Sequence, residues 1–233
     1  MNENIKIATV NIRSLKKIEK ILYLHDICEK NNIDILFIQE THLNEVIFQN
    51  EIKKVFKNYI CYLPILPTSY KGVGVLIKNN NNIHQINHEI IDTNRIIITK
   101  LNINDTFINL VNIYSPNSTN ERMDFINILY ETLIYKKNII LVGDFNHNIL
   151  TSNRKKSITK QWIDLFKNIS LQEFHFNEKI NESSCTWSNE ISSTRIDRIY
   201  YSKDLKEKFD FKYNNLLVNI FSDHKIVIAD IIF

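Results

Sequence analysis

The 233 residues are 44% hydrophobic, with 13 Phe and 10 Tyr, enough for one large domain with a sizeable core and too apolar for a disordered chain. No apolar run approaches the ~18 residues of a membrane span, and the polar opening Met1–Lys6 does not read as a signal or transit peptide, so a nuclear or cytoplasmic rather than secreted monomer is expected, with no membrane partner. A net charge of +3 permits a polyanionic partner without requiring one, and three widely spaced cysteines, Cys28, Cys61 and Cys185, exclude a disulfide framework or a CxxC zinc site.

In chain order, Ile5–Val10 reads as a strand. Ser14–Lys30 carries Leu15, Ile18, Ile21, Leu22, Leu24 and Ile27 at helical spacing. Ile33–Ile38 is short and apolar, as in a buried strand. Val73–Ile77 follows Gly72 as another strand, and Ile96–Leu101 and Thr106–Ile113 flank a hairpin turn at Asn102–Asp105. Asn120–Tyr135 is a second helix, Ile139–Val142 a buried strand, and Ser157–Ile169 a third helix marked by Trp162, Leu165 and Phe166. Thr186-Trp187-Ser188 and Ile196–Tyr201 bracket a Ser- and Asn-rich turn, and Lys225–Ile232 closes the chain as a strand. No linker, repeat or change of composition divides this order, so one domain over residues 1–233 with a layered α/β architecture is expected.

Polar residues cluster where the buried strands end. Asn11 follows the first strand, Gln39-Glu40-Thr41-His42 the next, Tyr114-Ser115-Pro116-Asn117 the strand Ile108–Ile113, and Gly143-Asp144-Phe145-Asn146-His147 the strand Ile139–Val142. Arg195-Ile196-Asp197 and Ser222-Asp223-His224 open two more strands. Such clusters can converge on one edge of a sheet stack. They supply carboxylates, amides, a phenol and an imidazole. Hard oxygen ligands without thiolates suit Mg²⁺ or Mn²⁺, and an imidazole beside a carboxylate suits proton transfer or charge stabilisation. The inventory fits phosphate-ester hydrolysis. Each residue alone has a plainer reading as a cap, a turn residue or a satisfied core group. His42, His147 and His175 keep that reading, and Trp187 is placed in the core.

The ordered set is more specific than its parts. Asn11, Gln39-Glu40-Thr41, Tyr114-Ser115-Pro116-Asn117, Gly143-Asp144-Phe145-Asn146, Arg195-Ile196-Asp197-Arg198-Ile199 and Ser222-Asp223-His224 together resemble the endonuclease/exonuclease/phosphatase family, from Ile5 to Ile232. Three details resemble the AP-like endonuclease domain of non-LTR (LINE-type) retrotransposons. They are Val10-Asn11-Ile12-Arg13-Ser14-Leu15, Thr186-Trp187 shortly before Arg195-Ile196-Asp197, and Ser222 immediately before Asp223-His224.

The resemblance implies a DNase I-like, four-layered α/β/β/α sandwich of two mostly antiparallel sheets flanked by helices. It implies Mg²⁺ held around Glu40 with Asn11 and Asp223, and Mn²⁺ able to substitute. Asp144 and Asn146 would handle the attacking water, His224 oriented by Asp197 would bond the phosphate, and Tyr114 would hold it from another side. Asn117, Arg198 and Thr186 would contact substrate, and Lys71, Arg95, Arg154 and Lys155 are further candidate phosphate contacts by charge. The implied reaction nicks DNA to a 3′-hydroxyl and a 5′-phosphate, the former priming reverse transcription by a reverse transcriptase domain of a longer polyprotein. The alternatives are a DNA-repair AP endonuclease, another phosphoesterase of the same fold, and a catalytically dead nucleic-acid-binding module.

Overall fold

Side-chain alternation along a few strands builds the frame. In β1 (Asn4–Asn11), Ile5 and Ile7 point one way while Ala8 and Val10 point the other, and both sets are fully buried. A strand buried on both faces must lie inside a stack of layers. The computed structural model describes residues 4–67, 70–79, 83–92, 95–149, 157–174 and 184–233, with backbone alone at 85, 86 and 92.

β1 is followed by α1 (Ile18–Asn31) and then β2 (Ile35–Gln39), which pairs parallel to β1. After α2 (Val46–Val55) come β3 (Tyr59–Tyr62), β4 (Val73–Lys78), β5 (Ile83–Asp92), β6 (Ile96–Ile103) and β7 (Thr106–Tyr114). The unit repeats as β7, α3 (Thr119–Leu133) and β8 (Ile139–Asp144), with β8 parallel to β7. The rest is α4 (Ser157–Asn168), β9 (Leu171–Glu173), β10 (Trp187–Ser188), β11 (Ser193–Thr194), β12 (Asp197–Ser202), β13 (Asp210–Leu217) and β14 (Ile226–Ile232).

Two six-stranded sheets result, ordered β13-β14-β1-β2-β4-β3 and β5-β6-β7-β8-β12-β9, plus the β10-β11 hairpin. Within each large sheet only the strand–helix–strand pair is parallel. Apolar residues from both sheets, Ile7, Phe37, Leu110 and Val142 among them, fill the space between them. Leu24 of α1 and Ile52 of α2 pack on the outer face of the first sheet, and Leu129 of α3 and Trp162 of α4 on that of the second. The layers are therefore α/β/β/α.

Local chemistry explains the boundaries. Asn32 ends α1 in the left-handed conformation (φ 52°), a cap Asn adopts more readily than most residues. Ser118 begins α3 by accepting a hydrogen bond from the Glu121 amide. Asn104 and Asp105, both at positive φ, close the β6–β7 hairpin in the two-residue turn that matches strand twist. Gly143 (φ 136°) has no alternative, because a Cβ there would lie 2.1 Å from the Ile113 carbonyl oxygen. That close approach aims the next residue, Asp144, along the inter-sheet face.

The expected helix from Ser14 starts only at Ile18, because Arg13 (φ 49°) and Ser14 (φ 84°) are left-handed and turn the chain first. α2, β3, β5, β9 and β13 were not anticipated. Arg154, Lys155, Lys156 and His175 lie outside the described residues.

Candidate active site

The period of a strand carries the polar residues to one edge. On β1 the inward series is Ile5, Ile7, Thr9, Asn11; on β7 it is Ile108, Leu110, Asn112, Tyr114. On β8 it is Ile140, Val142, Asp144, and on β12, running the other way, Asp197, Ile199, Tyr201. The same face changes from apolar to polar in its last rungs. One rung in, the Gln39 amide donates to Thr9 (2.9 Å) and to Asn112 Oδ1 (2.6 Å). The Asn112 amide donates across to the Ile38 and Gly74 carbonyls, at 3.1 and 2.8 Å. This buried network joins the two sheets beneath the site, with its amides bonded as burial demands.

At the edge, Asn11 Nδ2 donates to Glu40 Oε1 at 2.8 Å and to Asp144 Oδ2 at 3.0 Å, so one amide links carboxylates from the two sheets. Glu40 is left-handed (φ 52°), an uncommon conformation for a residue with a side chain. Burial opposes its ionisation, but hydrogen bonds from His42, Asn11 and Tyr114 prevail and hold the carboxyl at about 2. Glu40 is therefore an anion at neutral pH. Burial, with the Glu40 and Asp144 charges, raises the Tyr114 phenol, which stays protonated. Arg95 lies 5.0 Å from the Tyr114 ring centre and donates to its carbonyl (3.0 Å), so its guanidinium braces the tyrosine.

Asp144 is fully enclosed. Burial and then the nearby Asp197 push its carboxyl well above the usual range, against the pull of His224 and of hydrogen bonds from Asn11 and the Asn146 amide. A carboxylate so placed is an unusually strong base. Asn146, left-handed at φ 47°, also donates its side-chain amide to the Ser115 carbonyl (2.8 Å).

His224 Nδ1 donates to Asp197 Oδ2 at 2.9 Å and faces Oδ1 at 3.1 Å. Burial alone would discharge the ring, but the Asp197 carboxylate outweighs it, and the imidazole rises to about 9. With Nδ1 engaged, Nε2 is left for the cleft. Among the described residues, Asp144, Asp197 and His224 bring ligand atoms within 4.8 Å of one another.

A cavity of about 360 Å³ opens above these groups and is lined by Glu40, Asn117, Asn146 and His224 together with Arg13 and Trp187. The structure thus gathers eight of the eleven residues singled out in the sequence, Asn11, Glu40, Tyr114, Asn117, Asp144, Asn146, Asp197 and His224, around one cleft. Asp223 stands at the rim, where its Oδ2 receives Arg13 (2.8 Å) and Trp187 Nε1 (2.6 Å).

Two assignments are corrected. Thr186 is fully buried and its hydroxyl accepts from the Ile196 and Asp197 amides (3.1 and 2.9 Å), so it orients Asp197 and offers no surface to a substrate. Arg198 is equally buried, its guanidinium bound to Glu173 at 2.9 and 3.0 Å and to the Arg195 carbonyl, so it cannot reach a DNA phosphate. Arg95 is likewise committed to Tyr114, whereas Lys71 is exposed. Trp187 is half-buried and walls the cleft instead of filling the core. Sequence reasoning also passed over His42, whose Nε2 lies 3.3 Å from Glu40, and Arg13, two residues beyond Asn11.

A double-sheet sandwich whose polar rungs end in paired carboxylates, an Asp–His pair and a shallow cleft defines a phosphoesterase-like protein. Residues 8–224 match the endonuclease/exonuclease/phosphatase family, and the chain belongs to it. It is 23% identical to the transposon TX1 uncharacterized 149 kDa protein of Xenopus laevis over 96% of this chain, and spans 18% of that relative's length. Its fold is similar to the AP endonuclease of Leishmania major (TM-score 0.79, 16% identity, 99% of this chain and 88% of that one). It is also similar to the endonuclease domain of TRAS1, a telomere-specific non-LTR retrotransposon (TM-score 0.73, 15% identity, 98% of each chain). Membership and fold point to a phosphodiesterase or endonuclease. Among the described residues no helix is long and apolar enough to cross a membrane.

Proposed function

We propose that this chain is a divalent-metal-dependent endonuclease that nicks DNA to a 3′-hydroxyl and a 5′-phosphate, acting as a retrotransposon endonuclease whose product primes reverse transcription. The observation that carries this reading is the linkage at the cleft floor, where Asn11 joins Glu40 to Asp144 and Asp197 holds His224 beside them. The likeness to a transposon protein and to a retrotransposon endonuclease domain supports the setting, with a reverse transcriptase as the partner domain in a longer polyprotein.

The donor set fits a hard divalent cation. Glu40 is ionised, Asp144 is drawn to the same amide nitrogen, and the groups offered are oxygens. Glu40 and the second oxygen of Asp223 would hold Mg²⁺ or Mn²⁺, with Asn11 fixing Glu40 through its amide N–H (2.8 Å), and the ion when bound would supply neutralisation of the scissile phosphate and the leaving oxygen. Asp144 orients the attacking water and accepts its proton as the water oxygen bonds to phosphorus. The bond from phosphorus to the 3′ oxygen breaks, and that oxygen takes a proton from solvent water to leave as the 3′-hydroxyl. His224, cationic through Asp197, donates from Nε2 to a non-bridging oxygen. Tyr114 and Asn117 hold the phosphate from the other sheet.

Supercoiled plasmid incubated with Mg²⁺, and again with EDTA, tests the reading. Metal-dependent conversion to open circles with ligatable 3′-hydroxyl ends is expected. Intact plasmid under every metal condition would instead favour a binding module. A parallel oligonucleotide with one apurinic site, cut far faster than an undamaged duplex, would favour a repair AP endonuclease.

A further inference from the structure

The two parallel strand–helix–strand units share a feature that local helix rules oppose. Lys20 stands in the first turn of α1 and Arg122 in the first turn of α3, where the helix dipole disfavours a cation. Their neighbours Glu19 and Glu121 follow the usual preference. Both basic residues are also nearly buried, at 9% and 6% exposure, which costs charge solvation.

Each cation turns back to the loop that its strand has just left. Lys20 Nζ donates to the Ile12 and Arg13 carbonyls at 2.8 and 2.7 Å. Arg122 donates from Nε to the Pro116 carbonyl at 2.9 Å and from its terminal nitrogen to the Asn117 carbonyl at 2.7 Å. In each unit, then, one buried cation takes two consecutive carbonyls of the loop between strand and crossover helix. Those loops carry cleft groups. The first bears Arg13, whose amide donates to Asn11 Oδ1 (3.2 Å) and whose guanidinium binds Asp223. The second bears Asn117 at the cleft wall. Arg13 is left-handed, a conformation that persists only where the surroundings hold it.

We propose that Lys20 and Arg122 are a matched pair of positioning residues that pin the two strand-exit loops, so that Arg13 and Asn117 meet the substrate phosphate at fixed positions. The proposal rests on the phosphodiesterase reading of the cleft. Neither residue lines the cleft itself; each acts through the loop in front of it. The fixed positive charge behind each loop also matches a polyanionic substrate.

The test is steady-state plasmid nicking by Lys20→Met, Arg122→Met, Asn117→Ala and the Arg122→Met/Asn117→Ala double variant, with thermal melts alongside. Each Met variant is expected to lose roughly 10- to 100-fold in kcat/KM, the scale of a loop displaced by about an ångström. Arg122→Met should then cost less than about twofold when Asn117 is already Ala, because the group it positions has gone. An equal loss in both backgrounds, or none in either, overturns the proposal. If Arg122→Met does not fold, Arg122→Lys keeps the charge but replaces the two-pronged guanidinium with a single nitrogen, and its smaller loss should show the same dependence on Asn117. An equal loss in both backgrounds is again fatal. Asp144→Asn separates the layers of the argument. Nicking retained by Asp144→Asn overturns the reading of the cleft and this proposal with it. An inactive Asp144→Asn beside wild-type Lys20→Met and Arg122→Met overturns the pinning alone.

Discussion

The layer between the two sheets has two unlike ends. At one end β14 finishes, β13 begins and the chain terminates, and aromatic rings close the stack. Tyr201 stacks on Phe211 with centroids 4.1 Å apart, and Phe209 meets Phe233 edge-on at 6.1 Å. At the other end the same strand faces present Thr9, Asn11, Gln39, Asn112, Asp144 and Asp197, all but inaccessible to solvent. The aromatic end obeys the transfer of apolar surface from water, which needs no direction. The polar end holds groups that burial disfavours, and each is kept in place by a hydrogen-bond partner, Thr9 by Gln39 on the next strand and the others across the layer. Stability is concentrated at one end of a continuous sandwich and directional chemistry at the other, and substitutions should separate the two.

The largest effect is expected from Asp144→Asn, which should lower plasmid nicking by about 10³-fold or more, within the range for removing a positioned base. Its melting temperature should hold or rise, since a buried carboxylate beside Asp197 is replaced by a neutral isostere. A melt lowered by many degrees would mean that this end is structural after all.

His224→Ala should cost about 100-fold in turnover. Asp197→Asn should also damage it, and the double variant should lose less than the product of the two single losses, because the pair acts as one unit. The pair has a pH signature. The folded imidazole titrates at about 9, above its ordinary 6.5, so its stabilisation is complete below that ordinary value and disappears as pH rises through about 9. Stability measured across this window should fall with pH in the wild type and stay nearly level in Asp197→Asn. An NMR titration placing His224 near 6.5 in the wild type would contradict the pairing.

Glu40→Gln should shift the Mg²⁺ titration of nicking to higher concentration, with partial recovery at high Mg²⁺ or Mn²⁺, because one anionic oxygen is lost from a site that keeps others. An unchanged metal titration would remove Glu40 from the ligand set. One rung deeper, Asn112→Leu strands Gln39 and the Ile38 and Gly74 carbonyls, and should cost about 1–3 kcal/mol in urea unfolding together with some activity. At the aromatic end, Ile231→Val should cost about 0.5–1.5 kcal/mol of stability and leave nicking per folded molecule unchanged. A change in kcat there would show that the two ends are coupled.

Much of this arrangement was legible in the chain. Burial of β2 and β8 was written in their short apolar runs, and the polar residues at the strand ends could be read as one site because their order resembles that of the endonuclease/exonuclease/phosphatase family. What escaped followed from physics that a linear sequence does not carry. β5 and β13 are exposed along much of one face, so their apolar signal is diluted, and polar residues such as Asn214 and Asn215 interrupt it. Charge does not reveal burial, so Arg198 looked like a DNA contact until Glu173 was found 2.9 Å away. A hydroxyl does not announce its donor, and Thr186 proved to hold Asp197 in place. Lys20 and Arg122 fell inside the expected helices without any mark of a role, and only the folded loops showed what they grip. Residue order and alternation determined which groups could reach one edge of the sandwich. Packing of the two sheets decided which of them meet, as when Asn11 spans from Glu40 to Asp144, which lies 133 residues beyond Asn11 along the chain. That separation is the physical reason: hydrogen bonds and burial are set by distances in space, and no local rule encodes a distance between strands until the layers close.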